Sequence, residues 1–182
     1  MCRVPQTRTV HTSDLSPAER DAIRRLLGLA FLGTFADDDF DHALGGMHAM
    51  VVDGDETIAH AAVVQRQFLH GERSWRCGFV EAVAVHPGWR GQGYAATVMD
   101  EIERVIDHGY DLGALSSSRA GRGLYLHRGW RPWQGPTFVV APGGITRTPD
   151  DDDGVLVRAV AGGAELDLTA ALTCDWRNGD VW

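Results

Sequence analysis

One carboxylate lies within an otherwise apolar stretch of the sequence. Apart from Glu81, the run Cys77–Val85 is apolar on both alternating faces, a pattern typical of a central strand buried on both sides. A carboxylate buried there is costly unless it is paired, hydrated or protonated, and its pKa tends to rise. Glu81 either pairs with an arginine in the core or lines a cleft as a general base. The second interpretation is favoured because the chain has no lysine and a ligand-type loop follows directly.

A glycine-rich loop follows this strand and precedes a predicted helix. Glycines in the segment 90–95 let a ligand approach the backbone, and free N–H groups at the helix start point towards an anion such as a pyrophosphate. The spacing Gly91-x-Gly93-x-x-Ala96 also matches the dinucleotide fingerprint. Two observations count against a nucleotide-binding oxidoreductase: His86–Arg90 separates the strand from the first glycine, and the preceding strands are linked as hairpins. A flexible connector would leave the Arg-x-x-Gly-x-Ala pattern unexplained.

The loop belongs to a longer pattern between residues 75 and 131. A strand, Arg90-x-x-Gly93-x-Ala95, a helix, a strand, a short helix and Leu124-Tyr125-x-x-x-Gly129-Trp130 follow in that order. This order resembles the GNAT acetyltransferases, and it implies acetyl-CoA as the co-substrate. The resemblance implies that the backbone near Val83 and Val85 pairs with the pantetheine arm and that Tyr125 protonates the departing thiolate. The residues implied in pyrophosphate binding are Arg90, Gly91, Gln92, Gly93, Tyr94 and Ala95.

A closer resemblance extends over most of the chain. The blocks that carry it are Gly45–Ala49, Ile58–Val63, Leu112–Ser118, Trp130–Thr137, Arg147–Asp152 and Cys174–Trp182. They are similar to the actinobacterial aminoglycoside 2'-N-acetyltransferases, in which acidic groups and the C-terminal carboxylate hold the cationic drug. By position, the implied substrate-binding residues are Asp39, Glu81, Ser116, Asp151 or Asp152, Asp180 and Trp182.

Two positions depart from that family's pattern. The acidic run Asp150–Asp153 has four aspartates where three are expected, so the register between Asp151 and Asp152 stays open. Thr34 stands where an acid is expected, so one amine contact is absent from the pattern. The run itself has competing interpretations: a solvated loop, or a calcium loop, which would place Pro149 and Val160 at ligand positions that neither can fill.

The implied reaction is direct transfer from acetyl-CoA to a primary amine, with no covalent enzyme intermediate. Glu81 accepts the amine proton through water, and Tyr125 acts as the general acid. The N–H of Val83 stabilises the developing oxyanion. Acetylation of another cationic amine (a polyamine, a protein N-terminus or a cell-wall precursor) and a non-catalytic coenzyme A-binding regulator are the alternatives. The family resemblance also implies a homodimer.

The charge of the chain narrows the classes of partner. The 182 residues carry 25 acidic side chains and 17 basic ones, all arginine, for a net charge of -8. The absence of lysine excludes a lysine Schiff base or a phosphate-binding lysine. The acidic balance argues against nucleic acid. Residues 80–131 are neutral, and the excess lies in residues 1–79 (-3) and 132–182 (-5). That distribution suits an anionic cofactor and a cationic substrate.

The remaining composition predicts a cytoplasmic protein. No apolar run reaches membrane-spanning length, and the start of the sequence lacks the apolar region of a signal peptide. The three cysteines, Cys2, Cys77 and Cys174, are odd in number and far apart, as expected for reduced thiols. The histidines show no metal-ligand spacing, so no metal and no membrane partner are expected.

Short-range signals predict the elements that position these residues. Ser16-Pro17-Ala18-Glu19 is a capping box that begins a helix. Asp37–Asp39 begins a short acidic helix. The predicted strands are Met47–Val52, Ile58–Phe68, Trp75–Val85 and Leu112–Ser116. A short helix is predicted over Arg119–His127. With no repeat or linker, the prediction is one α+β domain over residues 1–182, with a GNAT fold: a mixed, largely antiparallel central sheet flanked by helices.

Overall fold

The computed structural model describes residues 4–182, so Cys2 lies outside the described residues. The chain divides into two compact units. Unit 1 comprises the described residues up to Val64 together with Val80–Val105, and unit 2 comprises Gln65–Phe79 and Ile106–Trp182. Strand β3 (Glu56–His70), strand β4 (Arg73–Val85) and helix α3 (Tyr94–Gly109) each contribute residues to both units. No helix within residues 4–182 is long and apolar enough to cross a membrane.

Unit 1 combines an antiparallel set of strands with three helices. Strand β1 pairs with β2, and β2 pairs with β3, in both cases antiparallel. One apolar face of α1 packs Ile23, Leu26 and Leu27 against Phe40 and Met50. The elements are β1 (Gln6–His11), α1 (Pro17–Ala30), α2 (Asp37–His42), β2 (Met47–Asp53), β3 (Glu56–His70), β4 (Arg73–Val85) and α3 (Tyr94–Gly109).

The start of α1 shows how local sequence sets an element. The Ser16 hydroxyl accepts a hydrogen bond from the Glu19 N–H, and the Glu19 carboxylate accepts one from the Ser16 N–H. These reciprocal bonds satisfy two donors that a helix start leaves without partners. The predicted capping box is therefore confirmed, as is the start of the acidic helix at Asp37.

Unit 2 is dominated by strands. Strand β5 runs parallel to the first half of β4, while β9 pairs antiparallel with β5 and with β6. Strand β10 pairs antiparallel with β3 and parallel with β7, and β8 forms an edge beside β7. The elements are β5 (Leu112–Ser116), α4 (Arg122–His127), β6 (Arg131–Pro132), β7 (Thr137–Ala141), β8 (Gly144–Arg147), β9 (Val155–Ala159) and β10 (Leu172–Asp175).

The predicted architecture is confirmed, with differences in its details. The sheet is mixed and largely antiparallel, because among the strand pairs described within residues 4–182 the parallel ones are β4–β5 and β7–β10. Strands β2, β3 and β4 run longer than predicted. The helix that holds Tyr125 begins at Arg122, three residues later than predicted. Strand β1 was not predicted, because its exposed polar residues show no alternating pattern. Cys77 and Cys174 are free and buried, and burial raises the pKa of both thiols.

Candidate functional site

The glycine-rich loop of unit 1 connects β4 to α3. A single 3-10 turn spans Pro87–Trp89, and α3 begins at Tyr94. Gly91 and Gly93 have φ values of 77° and 88°, in the left-handed region that glycine adopts without steric cost. Residues 90–93 are exposed, and the first N–H groups of α3 follow them. This segment therefore offers the backbone donors that an anionic pyrophosphate needs.

Arg90 adds positive charge to this loop. Its guanidinium lies 3.3 Å from the carbonyl oxygen of Ala30 and 3.4 Å from that of Val85, and its side chain remains exposed. These long contacts tether the side chain without neutralising it, so the charge is available to an anion. The antiparallel pairing of β2 with β3 ahead of the loop disfavours a dinucleotide-binding fold, which is built from parallel βαβ units.

Glu81 lies on the second half of β4, where the strand departs from regular geometry. The apolar pattern predicted a strand buried on both sides, but Glu81, Ala82 and Val83 are each partly exposed. Ala82 has a φ of 51°, a left-handed conformation that costs about 1–3 kcal/mol for a residue other than glycine. Burial on both faces is therefore confirmed only from Cys77 to Val80, because the bend at Ala82 interrupts the pleat and alanine gives no sequence signal for a left-handed residue.

Two buried histidines support the bend. His60 lies 2.8 Å from the carbonyl oxygen of Ala82, and His48 lies 2.9 Å from His60. Burial lowers the pKa of His48 to about 3 and that of His60 to about 4, so both rings are neutral at physiological pH. In the sequence these histidines were candidates only for metal binding, and no group of metal-binding side chains is present within residues 4–182.

In unit 2, Tyr125 lies on α4 with 8% of its surface exposed. Its ring packs edge-on against Trp130 at a centroid distance of 6.3 Å. Burial raises the pKa of Tyr125 to about 12, because the phenolate is poorly solvated there. The phenol therefore stays protonated at neutral pH and can donate a proton, which is what a general acid requires.

Asp152 is engaged by its own surroundings. Its carboxylate forms a two-pronged ion pair with Arg147. It also accepts hydrogen bonds of 2.9 Å from the N–H and the hydroxyl of Thr137. The ion pair with Arg147, together with these bonds, lowers the pKa of Asp152 to about 2. Oδ1 thus ties the acidic loop to the start of β7, and both oxygens tie it to Arg147 at the end of β8.

Asp151 has different surroundings. Its side chain is partly buried, and burial raises its pKa, with the nearby carboxylate of Asp180 raising it further. Ser116 ends β5 with an exposed side chain, and the following residue, Ser117, donates a 3.0 Å hydrogen bond to the carbonyl of Gly154. Unit 2 therefore brings two carboxylates and the end of β5 to the same loop, an arrangement that a cation would stabilise.

The final seven residues of unit 2 are fixed by a buried arginine. Arg66 is 4% exposed and donates hydrogen bonds of 2.7 Å to the carbonyl of Val181 and to the carboxylate of Asp175. The Trp182 ring, 3% exposed, packs edge-on against Phe68 at 5.3 Å. Its indole N–H also donates to the Thr148 hydroxyl at 2.9 Å. These contacts hold Asp180 and Trp182 in place.

Replacing this arginine tests how the tail is held. Arg66→Met should lower the free energy of unfolding by about 1–3 kcal/mol, because the carbonyl of Val181 loses a buried charged donor. The family resemblance implies that the tail binds substrate, and on that expectation the variant should also raise the KM, since the tail is released. The control is Arg76→Met, which removes an exposed pair with Asp111 and should change stability much less. Denaturant unfolding and steady-state kinetics measure both effects, and equal losses in the two variants would contradict this role.

Asp39 lies in unit 1 and has a structural partner. One of its carboxylate oxygens accepts a 2.8 Å hydrogen bond from the N–H of Ala36, so Asp39 caps the start of α2. Its side chain remains partly exposed. This carboxylate therefore has a structural role in α2, and a contact from Asp39 to a substrate stays a prediction.

The predicted site residues divide between the two units. Unit 1 contains Asp39, Glu81, Val83, Val85 and the loop 90–95, whereas unit 2 contains Ser116, Tyr125, Asp151, Asp152, Asp180 and Trp182. The supporting roles of Arg66, His48 and His60 were not predicted from the sequence. The signal that could have found them is a charged or ionisable side chain at an inward position of a strand, which is rare unless it has a specific partner.

The chain matches a known protein family and is similar in sequence to a named protein. The family described as "Acetyltransferase (GNAT) domain" matches residues 11–133. A protein of Mycolicibacterium fortuitum named "Aminoglycoside 2'-N-acetyltransferase" is 57% identical over 177 residues, which is 96% of this chain and 91% of that protein.

Solved structures share the fold at low sequence identity. A GNAT family N-acetyltransferase from Escherichia coli in complex with CoA aligns with a TM-score of 0.63 and 17% identity, covering 93% of this chain and 88% of that one. A GCN5-related N-acetyltransferase from Kribbella flavida aligns with a TM-score of 0.58 and 27% identity. In that alignment the match covers 72% of this chain and 34% of the Kribbella chain. The predicted fold is confirmed.

Proposed function

The chain belongs to the GNAT acetyltransferases, and from that premise we propose that it transfers the acetyl group of acetyl-CoA to the 2'-amine of aminoglycoside antibiotics. The observation that carries this proposal is the 57% identity, over 96% of the chain, to an aminoglycoside 2'-N-acetyltransferase. The acidic surroundings of Asp151 and Asp180 support a cationic substrate. Resistance to such antibiotics is the proposed biological consequence.

Acetyl-CoA would be held mainly by unit 1. The glycine-rich loop, Arg90 and the start of α3 bind the pyrophosphate. The backbone of β4 at Val83 and Val85 pairs with the pantetheine arm, which is the arrangement that the family resemblance implies. Bound acetyl-CoA supplies an activated thioester, and the residues of the chain orient it.

The chemical step is a direct attack of the amine on the thioester carbonyl. An ammonium group is no nucleophile, so its proton must first leave, and Glu81 accepts it through water. The amine nitrogen then forms the new C–N bond, and the Val83 N–H stabilises the oxyanion. When the C–S bond breaks, Tyr125 donates a proton to the thiolate, and the second proton that the nitrogen must lose to become an amide returns through water to the tyrosinate. The raised pKa of Tyr125 keeps the phenol in the acid form.

The drug would be held by carboxylates. We assign the contact in the acidic run to Asp151, because Asp152 is engaged by Arg147 and Thr137. Asp180, Ser116 and Trp182 from unit 2 and Asp39 and Glu81 from unit 1 complete the proposed substrate residues. Several carboxylates facing one polycation make the affinity sensitive to salt.

A matched pair of substitutions tests this assignment. Asp151→Asn should raise the KM for the aminoglycoside about tenfold, the expected cost of one charge-assisted hydrogen bond. Asp152→Asn should instead lower the melting temperature and leave KM within a small factor, since it breaks the pair with Arg147. Steady-state kinetics at two salt concentrations and thermal unfolding separate the two. A larger KM effect from Asp152→Asn would reverse the assignment.

Thiol release tests the proposed function itself. The protein is mixed with acetyl-CoA and with aminoglycosides that differ only in carrying a 2'-amine or a 2'-hydroxyl. Release confined to the 2'-amine partner supports the proposal. Release with neither compound, but with a polyamine or a peptide N-terminus, would point to another cationic amine. Binding of coenzyme A without any release would point to a regulator.

We also propose a homodimer that uses the outer hairpin of unit 2. Val140 and Ile145 face each other across β7 and β8 and are 39% and 63% exposed, an apolar pair that a second copy would cover. The cytoplasmic location stays a prediction.

A further inference from the structure

A row of hydrogen bonds runs through unit 1 and ends at the bend in β4. The Thr12 hydroxyl lies 2.7 Å from Nε2 of His48, Nδ1 of His48 lies 2.9 Å from Nε2 of His60, and Nδ1 of His60 lies 2.8 Å from the carbonyl oxygen of Ala82. Both histidines are fully buried, and Thr12 is 8% exposed. Four residues distant in sequence are thus joined in a row that ends at Ala82, the residue of β4 with a positive φ.

The chemistry of the groups sets the direction of every bond in this row. The carbonyl of Ala82 can only accept, so Nδ1 of His60 carries the hydrogen. A neutral imidazole has one N–H, so Nε2 of His60 accepts from Nδ1–H of His48. By the same rule, Nε2 of His48 accepts from the Thr12 hydroxyl. The Thr12 oxygen in turn accepts a 2.9 Å hydrogen bond from the N–H of Gly45.

The row does not serve as a proton path or a metal site. It ends on a backbone carbonyl, which has no useful affinity for a proton at physiological pH. All four ring nitrogens of His48 and His60 already have hydrogen-bond partners, so binding a metal would cost those bonds. The burial that lowers the pKa of both histidines keeps the pattern of donors and acceptors fixed. What remains is control over the orientation of one peptide group.

That peptide group joins Ala82 to Val83. No cis peptide bond occurs within residues 4–182, and in a planar trans peptide the C=O and the N–H point in opposite directions. When His60 holds the carbonyl of Ala82, it therefore also sets the direction of the Val83 N–H. Ala82 has a φ of 51°, and such conformations persist only where the surroundings over-determine them. The His60 hydrogen bond supplies that restraint.

We infer that His60, supported by His48 and Thr12, is a positioning residue that aims the Val83 N–H at the carbonyl oxygen of the acetyl thioester. This inference rests on the proposed function, in which that N–H stabilises the oxyanion. The hydrogen bond that the carbonyl of Ala82 accepts also polarises the same peptide group, which strengthens the N–H as a donor.

The effect falls on the chemical step. An oxyanion binds the N–H more strongly than the ground-state carbonyl does, so misdirecting the donor lowers kcat more than it weakens binding of acetyl-CoA. Removing one oxyanion donor costs about 10²- to 10³-fold in kcat. Because the N–H remains present but less well directed, we expect a loss of about tenfold to a hundredfold when His60 can no longer donate to Ala82.

Two variants of His60 separate positioning from simple stability. The amide of Asn places its N–H at the position of Nδ1, whereas the amide of Gln places it near Nε2. His60→Asn should therefore retain most of the wild-type kcat, measured per coenzyme A-binding site. His60→Gln should show the full tenfold to hundredfold loss of kcat, with little change in the KM for acetyl-CoA. His70 is the matched control, since it is buried in unit 2 and lies 3.1 Å from the carbonyl of Ala171. His70→Gln should lower thermal stability and leave kcat per site unchanged.

The outcomes that overturn the inference are distinct from failure of the proposed function. The inference is overturned if His60→Asn and His60→Gln have equal kcat per site. It is also overturned if the loss of kcat in the variants simply parallels their loss of melting temperature. If the wild-type protein acetylates no amine, the proposed function fails, and the inference is then tested by nitrogen NMR of labelled histidine. Two findings together support it. The hydrogen of the His60 ring lies on Nδ1, and acetyl-CoA binding changes the NMR chemical shift of the Val83 amide in the wild-type protein but not in His60→Gln. A hydrogen on Nε2 of His60, or no shift of that amide, overturns it.

Discussion

Replacing Glu81 with glutamine should lower kcat by about 10²- to 10⁴-fold, the usual worth of a general base, while the Kd for coenzyme A stays unchanged. Glutamine keeps the size and the hydrogen-bonding shape of the side chain, but it cannot take a proton from an ammonium group at neutral pH. In the proposed function the cofactor binds to the loop 90–95 and to the backbone of β4, which this substitution does not alter. The loss should therefore appear in the chemical step.

Kinetics as a function of pH make this test specific. In the wild-type protein, kcat/KM should fall on the acid side as the base becomes protonated, and Glu81→Gln should remove that dependence along with most of the rate. Glu72→Gln is the control, because it removes a carboxylate from the exposed turn between β3 and β4 and should behave as wild type. A Glu81→Gln variant that keeps the wild-type rate across the whole pH range would eliminate Glu81 as the base.

Replacing Tyr125 with phenylalanine should cost at least about 10²-fold in kcat, because the thiolate then leaves without its proton donor. The pKa of Tyr125 is raised to about 12 from its ordinary value of 10.0. The folded state therefore favours the neutral phenol. That stabilisation is complete below about pH 10 and is lost as the pH rises through about 12, so no change in stability from this group is expected near neutrality. An alkaline loss of rate below pH 10 would then have to come from another group.

Tyr110 provides the matched control for this substitution. It is half-buried in unit 2, and burial raises its pKa as well. A methyl group at Gly78 would lie only 2.7 Å from the Tyr110 ring, so the ring fills space against β4. Tyr110→Phe keeps the ring and removes only the hydroxyl, so kcat should be unchanged. If Tyr125→Phe and Tyr110→Phe have equal kcat values, the phenol of Tyr125 is not the proton donor.

Local signals predicted the elements that depend on local physics. The capping box at Ser16 and the turns of the β2–β3–β4 meander involve residues a few positions apart, and the structure contains them as predicted. Strand β1 escaped prediction because its place is set by pairing with β2, some forty residues away. The left-handed residue Ala82 escaped because a buried histidine from β3 restrains it. Such long-range restraints leave no periodic trace in the sequence.

The roles of individual carboxylates also could not be predicted from the sequence. Asp151 and Asp152 are neighbours of the same type, and no pattern separates them. The structure separates them because Arg147 and Thr137 engage Asp152, whereas Asp151 adjoins the carboxylate of Asp180. Similarly, the tail that carries Asp180 is fixed by Arg66, a residue more than a hundred positions earlier. Predicting which acid is engaged requires knowing which cation the fold brings to it.

The position of the transferred acetyl group tests the central claim most directly. The protein is incubated with isotopically labelled acetyl-CoA and an aminoglycoside that carries a 2'-amine among several other amines, and the product is mapped by NMR. The account predicts a single acetyl group, on the 2'-nitrogen. An acetyl group on any other nitrogen, or an unmodified drug in a mixture where acetyl-CoA is consumed on another amine, would contradict it.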